Sequence, residues 1–317
     1  ILIAPMMDWT DRHCRYFMRL LSPSAFLYTE MVTAAAIHHG DYAALLEIDA
    51  ADHPVALQVG GSDPGLMAEA ARRGGEFGYD EININVGCPS DRVQSGQFGA
   101  CLMARPELVA DCLRAMQAET DVPVTVKTRI GIDDEHRYEF LRRFVDVLTE
   151  AGCRKFIVHA RVAILEGLSP KQNRSVPPLK YEHVFRLKND LPELDIVLNG
   201  GITTVGQVDE VLSRVDGVMI GRQAYHDPYF LAILEQHFNP RWHPPNRHAV
   251  VAEMLPYIEK ELARGERLGG ITRHMLGLFA GQPGARAWRR YISENAFRDG
   301  AGPEVLIDAL DKMPAAA

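Results

Sequence analysis

Cys88 stands in the run Asn83-Ile84-Asn85-Val86-Gly87-Cys88-Pro89-Ser90, directly after a stretch that alternates polar and apolar side chains from Asp80 to Asn85. The alternation breaks at Gly87 and Pro89, which lifts the thiol out of a sheet and into a cleft. An unperturbed thiol titrates at about 8.5 and mostly keeps its proton near neutral pH. Cys88 therefore suits a proton donor at least as well as a nucleophile, and a buried structural cysteine beside a turn is the plain alternative. Gln58, Asn83, Asn85, Lys127, His159 and Asn199 also lie at or near the ends of strand-like runs. Any one of them alone reads as a helix cap or a loop support. Together, from different runs, they read as one site.

Those runs are apolar, β-branched and regularly spaced: Ile1–Pro5, Ala25–Tyr28, Val55–Val59, Glu81–Asn85, Val124–Lys127, Lys155–His159, Asp195–Asn199 and Gly217–Ile220. Helical periodicity falls between them, over Pro64–Gly78, Pro106–Glu119, Asp134–Ala151, Thr203–Arg214 and Tyr225–Phe238. Asp63 and Pro64 supply a helix start, and Gly152 a helix end. Strand and helix in alternation predict parallel β/α units, and this count and length predict a closed (β/α)8 TIM barrel. A doubly wound open sheet would carry a Gly-rich fingerprint after its first strand, and none is present. In a barrel, the C-terminal strand ends converge on one mouth, where the site is built.

The proline-rich segment Asn239-Pro240-Arg241-Trp242-His243-Pro244-Pro245 breaks the alternation. It predicts a catalytic barrel over residues 1–240 and a small all-α C-terminal domain over 246–317, with helices at Val250–Arg264, Ile271–Leu278, Ala285–Asn295 and Pro303–Lys312. The net charge is −8. The region 246–317 holds ten Lys/Arg against nine Asp/Glu, so the acidity belongs to the barrel and the tail is near neutral with basic clusters. The five cysteines are scattered and form no Cys-x-x-Cys pair, so no disulfide framework or metal site is expected, and a reducing cytoplasm fits best. No apolar run approaches the roughly 18 residues of a membrane span. The chain opens on Ile1 inside a strand-like segment, which leaves room for preceding residues.

Asn199-Gly200-Gly201-Ile202-Thr203 follows the seventh run and Gly221-Arg222 the eighth. Glycines let backbone amides approach an anion, a helix start favours negative charge, and Arg222 adds a charged donor. Loops after strands seven and eight of a barrel often bind phosphate. At the same mouth Lys127 could stabilise the anionic side of a reduced isoalloxazine. Gln58 and His159 could bond the same ring system or its ribityl chain. Pro5, Met6 and Met7, after the first run, could offer backbone and a soft side chain to a flat ring, although methionine there is also ordinary core filling.

Ala4-Pro5-Met6 with Thr10-Asp11, Asn85-Val86-Gly87-Cys88-Pro89, Lys127-Thr128-Arg129, His159-Ala160-Arg161, Asn199-Gly200-Gly201 and Gly221-Arg222 occur in that order. The set resembles the tRNA-dihydrouridine synthases over nearly the whole chain. Asp8-Trp9-Thr10-Asp11-Arg12-His13, Gly99-Ala100-Cys101-Leu102 and Gln223-Ala224-Tyr225 resemble the bacterial A-type branch most. The resemblance implies FMN, with NADPH or NADH as reductant, and reduction of the uridine C5–C6 bond to 5,6-dihydrouridine in the tRNA D-loop, around positions 20 and 20a. It implies hydride delivery from flavin N5 to C6 and a proton from Cys88 to C5, with Cys101 left to packing. The target base must leave its stack, and Asn85 could bond the uracil edge. Lys171 and Arg174, in the loop after the sixth run, and Arg286, Arg289 and Arg290, in the tail, are then expected to meet RNA phosphates. A monomer is expected. Two other classes fit parts of the chain. A flavin oxidoreductase on a free pyrimidine, similar to dihydroorotate dehydrogenase, would need neither the basic loop nor the tail. A non-catalytic tRNA-binding protein would need no cysteine at the mouth.

Overall fold

The protein is described as a computed structural model covering residues 1–90 and 96–313. Its strands are β1 (Leu2–Ile3), β2 (Leu27–Thr33), β3 (Val55–Gly60), β4 (Glu81–Val86), β5 (Val124–Arg129), β6 (Lys155–His159), β7 (Asp195–Asn199) and β8 (Gly217–Ile220). They form one parallel sheet in the order β1-β8-β7-β6-β5-β4-β3-β2. The ends meet where Ile3 N donates to Phe26 O (2.9 Å) and Phe26 N to Ile1 O (3.0 Å), so the sheet is a nearly closed barrel. Among the described residues no helix is long and apolar enough to cross a membrane.

Side chains two apart on a strand share a face, and this period fills the barrel. Leu2, Ala4, Tyr28, Ala56, Ile157, Val197 and Met219 pack into one buried apolar cluster, joined by Met6 and Phe26. The β3–β5 sector is polar instead. Tyr28 Oη and Thr125 Oγ1 donate to Glu81 Oε1 (2.5 and 2.7 Å), and Lys155 Nζ pairs with Glu81 Oε2 (2.7 Å). Asn83 Nδ2 donates to Thr125 Oγ1, Gln58 Nε2 to Asn83 Oδ1 and Asn85 Nδ2 to Gln58 Oε1, each at 2.8 Å. The result is a continuous hydrogen-bonded ladder from the N-terminal end of β4 to its mouth. A buried polar group left unpaired is costly, so such a set is stable only when its members satisfy one another.

Every expected strand is present. β2 runs on past the expected Ala25–Tyr28 to Thr33, paired with β3 on both sides of a register shift between Tyr28 and Met31. There Thr29 Oγ1 accepts from Gln58 N (3.0 Å), a side-chain bond that keeps the two strands joined across the irregularity. The helix expected over 134–151 begins at Tyr138, because Gly131–Arg137 forms a turn with Asp133 at φ 46°. The helices Arg12–Leu21 and Tyr181–Asp190 were not expected. Arg12–Leu21 starts on the Asp11 side chain, which accepts from Cys14 N (2.9 Å), and buries Cys14, Phe17, Met18 and Leu21.

The chain forms two compact units, Ile1–Met7 with Phe26–Gly221, and Asp8–Ala25 with the chain from Arg222 onward. The division expected at 239–245 falls inside the second unit. Its cause is the helix Arg12–Leu21, whose surroundings come from distant sequence. Ser22 Oγ and Ser24 Oγ donate to Glu235 Oε2 (2.6 and 2.7 Å), Arg12 pairs with Glu266 (2.7 Å) and Glu261, and Arg273 pairs with Asp11 (2.6 Å). Burial alone would raise the Asp11 carboxyl. The bond and charge of His274, the Cys14 amide and Arg273 outweigh it and hold Asp11 far below the usual carboxylate range.

Candidate active site

The mouth of the first unit is assembled from the last inward-facing residue of successive strands. Asn85 of β4 pairs in register with Lys127 of β5, Arg129 of β5 with His159 of β6, and His159 with Asn199 of β7. Period-two alternation thus turns residues 42 to 114 positions downstream of Asn85 into its neighbours around one rim.

Cys88 is half-buried, and its backbone is held on every side. Its N–H donates to Asn85 Oδ1 (3.0 Å), as does that of Gly87 (3.1 Å), and its carbonyl accepts from Ala100 N (2.9 Å). Its Sγ lies 3.5 Å from Ser90 Oγ. Cys101 differs: its thiol is turned onto Phe98 O (3.1 Å), and burial raises its pKa.

Lys127 faces the mouth among densely packed groups. Burial first, then the charge of Arg129, lowers its pKa to about 7, against an opposite pull from Cys88. Its hydrogen-bond partner is a neutral amide, Asn199 Oδ1 at 3.2 Å, and Asn199 is fixed in turn by its bond to Met219 O (2.8 Å). A cation in that setting favours an anion beside it. Arg129 is buried too, and burial lowers its pKa to about 10, with further influence from Cys88, Arg174 and Arg161. Positive charge is therefore gathered at the β5–β6 side of a chain that is acidic overall.

Gly200 and Gly201 have φ of 122° and 74°, backbone that side-chain-bearing residues rarely adopt. A Cβ on Gly200 would lie 2.7 Å from His159 Cδ2, so the backbone is pressed against that ring. A Cβ on Gly221 would fill space beside Ala4 and Met6. At Gly200 and Gly201 the space beside the Cα is already taken by His159, Leu179 and Tyr181, so these two glycines serve close packing of the backbone, whereas at Gly221 a Cβ would meet only ordinary contacts. The expected contribution of the following helix start is weaker. The helix begins at Val205, and its capping box ties Thr203 N and Thr204 N to Gln207 Oε1 (2.9 and 3.2 Å). Pro5 and Met6 are half-buried after β1, and Met7 is 55% exposed. Arg222 is the exposed first residue of the helix Arg222–His226 and belongs to the second unit.

Two residues have a more internal place than expected. Gln58 is 1% exposed, with both ends of its amide bonded to Asn83 and Asn85. Asn85 uses its carbonyl on Gly87 and Cys88 and one amide hydrogen on Gln58, so a single N–H remains for a ligand. In the loop after β6, Lys171 and Arg174 are exposed, whereas Asn173 between them is fully buried. Asn173 Nδ2 donates to Ile164 O (2.8 Å) and Leu168 O (3.2 Å), and its Oδ1 accepts from Ile164 N (2.8 Å), so it holds the loop together. Arg161 Nη1 bonds the carbonyls of Pro177 and Ser175. In the second unit, Arg286, Arg289 and Arg290 are exposed on one side of the helix Ala285–Asn295, and Trp288 is buried on the other, donating to Met275 O (3.1 Å). Sequence reading missed Arg129 and Asn173 as supports. The signal available was the alternation Thr125, Lys127, Arg129, which sets all three on the inner face of β5.

A parallel barrel that gathers a cysteine with a fixed backbone, a half-buried lysine and a glycine-lined rim at its C-terminal mouth has the layout of a β/α-barrel enzyme. The dihydrouridine synthase (Dus) family matches residues 2–314. The tRNA-dihydrouridine(20/20a) synthase of Shewanella oneidensis is 58% identical over 307 residues, 96% of this chain and 91% of that protein. Its counterpart from Escherichia coli O6:H1 is 57% identical over 312 residues, 97% and 93% of the two chains. Among solved structures, a 2-naphthoyl-CoA reductase complex aligns with a TM-score of 0.59 at 10% identity over 75% of this chain and 50% of that one. Morphinone reductase aligns at 0.52 and 10% identity over 79% and 88%. These two speak for the barrel fold alone. The chain belongs to the dihydrouridine synthase family, and is a flavin-dependent oxidoreductase.

Proposed function

We propose that this protein reduces the C5–C6 bond of uridines 20 and 20a in the tRNA D-loop, using FMN and drawing its electrons from NADPH. The relatives' shared name supports the substrate and the position. The observation that carries the chemistry is the pair formed by Cys88, a thiol held from its flanking peptides, and Lys127, a half-buried lysine whose hydrogen bond goes to a neutral amide.

When bound, the flavin supplies the two-electron equivalent that saturates the uracil double bond. Lys127 and His159 at the rim, the backbone at Gly200, Gly201 and Gly221 and the Pro5–Met7 segment are the groups of the first unit proposed to hold it. Lys127, half-protonated near neutral pH in the free protein, becomes fully charged against an anionic partner. Asn199 keeps that ammonium aimed into the mouth. Cys88 carries the proton that the base requires at C5. The S–H bond breaks as the C5–H bond forms, and the thiolate left behind faces the charges of Lys127 and Arg129. The remaining amide hydrogen of Asn85 is suited to a uracil carbonyl. Gln58 supports Asn85 from below. Lys171, Arg174, Arg286, Arg289 and Arg290 supply phosphate contacts, which position RNA rather than read it. The cytoplasm is the proposed setting, and the protein acts as a monomer.

The test is dihydrouridine mapping in tRNA incubated with the protein, FMN and either NADPH or NADH, beside free uridine. Dihydrouridine at 20 and 20a with no product from free uridine is expected. Turnover of the free nucleoside would favour a small-molecule reductase, and tRNA binding without product would favour a non-catalytic binder.

A further inference from the structure

Arg129 has a set of partners unlike those of a charged residue that serves only to carry charge. Its Nε donates to Gly87 O (2.9 Å), and its Nη1 donates to Val162 O (3.1 Å) and Asn173 O (3.0 Å). All three acceptors are backbone carbonyls, and they belong to the loops that follow β4 and β6. Gly87 O is one end of the peptide group whose other end is the N–H of Cys88, and that N–H is bonded to Asn85 Oδ1. The peptide preceding the thiol is thus gripped at both ends, by Arg129 and by Asn85. On the far side, Arg129 reaches the carbonyl of the residue whose side chain braces the basic loop.

We infer that Arg129 is the positioning residue of the proton donor, locking the Gly87–Cys88 peptide to the Lys171–Arg174 loop so that the thiol and the RNA-contacting loop move as one body. The inference rests on the reading of Cys88 as the acid. The reason lies in the donor geometry. A guanidinium presents Nε–H and Nη–H in a rigid fork and serves carbonyls in two directions at once. A lysine at the same place keeps the charge and cannot span both loops. The positive charges facing Cys88 are those of Lys127 and Arg129, with Arg161 and Arg174 acting on Arg129 itself.

The test uses the holoenzyme with Arg129→Lys and Arg129→Gln. Arg129→Lys is expected to lower kcat for dihydrouridine by about 100-fold, the cost of a misplaced reacting group, with flavin content little changed and the KM for tRNA raised as the loop loosens. Arg129→Gln is expected to add an electrostatic defect: alkylation of Cys88 by iodoacetamide at fixed pH, in a Cys101→Ala background, slows by about tenfold, because the thiolate that reacts loses a neighbouring cation. A residue that merely stabilised the fold would move the melting curve and leave the alkylation rate of the folded protein alone. If the Arg129 variants do not fold, Asn173→Ser carries the test from the other side, since it loosens the loop without touching the guanidinium. It is expected to lower kcat more than tenfold. Wild-type kcat and alkylation in folded Arg129 variants, or wild-type kcat in Asn173→Ser where those do not fold, overturns the inference. Wild-type turnover by Cys88→Ala would instead overturn the reading beneath it.

Discussion

At the scale of single residues, two cysteines close in sequence have opposite surroundings. Cys88 has its backbone pinned and its thiol near the mouth, whereas Cys101 gives its thiol to Phe98 O. Cys88→Ala is therefore expected to keep bound flavin and its reduction by NADPH while dihydrouridine formation falls by at least ~100-fold, the low end of what a positioned general acid contributes. Cys101→Ala should stay within about twofold, since a thiol donates only a weak hydrogen bond. Product analysis of both variants under the same conditions checks this, and swapped phenotypes would reassign the donor. Lys127 gives a pH prediction. Its pKa is about 7 in the free protein and rises when an anion binds, so binding takes up a proton. The affinity for FMN should be full below pH 7 and weaken as pH rises above it, by up to about tenfold per unit until the bound-state pKa is passed. Fluorescence titration between about pH 7.5 and 9, where the phosphate is already dianionic, isolates this effect. Lys127→Met should bind more weakly and with a flat profile, and a flat wild-type profile would refute the linkage.

At the scale of elements, β4 shows how one strand serves two ends of the molecule. Glu81, Asn83 and Asn85 share its inner face. Glu81 pairs with the half-buried Lys155 at one end, and Asn85 holds the Cys88 peptide at the other. Glu81→Ala removes the acceptor of Lys155, Tyr28 and Thr125 together. The expected loss is roughly 1–3 kcal/mol for each of the buried Tyr28 and Thr125 hydroxyls left without an acceptor, read as a lower midpoint in urea. Asn83→Leu cuts the ladder in its middle and leaves Gln58 and Thr125 short of one partner each, at roughly 1–3 kcal/mol per group. Most of this was legible in the sequence, because Glu81, Asn83, Asn85 and Thr125, Lys127 follow a strict two-residue period. What the period does not reveal is whether a polar side chain at a strand end faces a ligand or another side chain. Gln58 has the same pattern as Lys127, yet it is bonded inward on both sides.

At the scale of the molecule, the discontinuous second unit changes how tRNA binding should be tested. Deleting residues 246–317 would strip Glu261, Glu266, Arg273 and His274 from the helix Arg12–Leu21 and its Asp11 cap, so a truncated chain would report misfolding. Charge substitutions on exposed side chains avoid this. Lys171→Gln with Arg174→Gln is expected to raise the KM for tRNA and to lower the slope of log affinity against log salt by nearly one unit per lost phosphate contact. Arg286→Glu, Arg289→Glu and Arg290→Glu together should weaken tRNA binding without altering flavin reduction measured in its absence. Unchanged affinity in the triple variant would leave that helix a structural cap, as its buried Trp288 already is on the other face.

The sequence by itself determined the number and order of the strands and the side of its strand that each of Asn85, Lys127, His159 and Asn199 takes. Both follow from local rules: hydrophobic period, turn residues, and the two-residue repeat that sends Asn85, Lys127, His159 and Asn199 to one side of their strands. The resemblance carried by its motifs also determined the family. Only the tertiary structure decided what those residues touch. Arg129 meets carbonyls 42, 33 and 44 residues away, and Asp11 meets Arg273 262 residues away. Such partners are chosen when a barrel closes and a helix finds the face that buries it. No local pattern encodes that choice, because the free energy of a buried polar group depends on who stands opposite it.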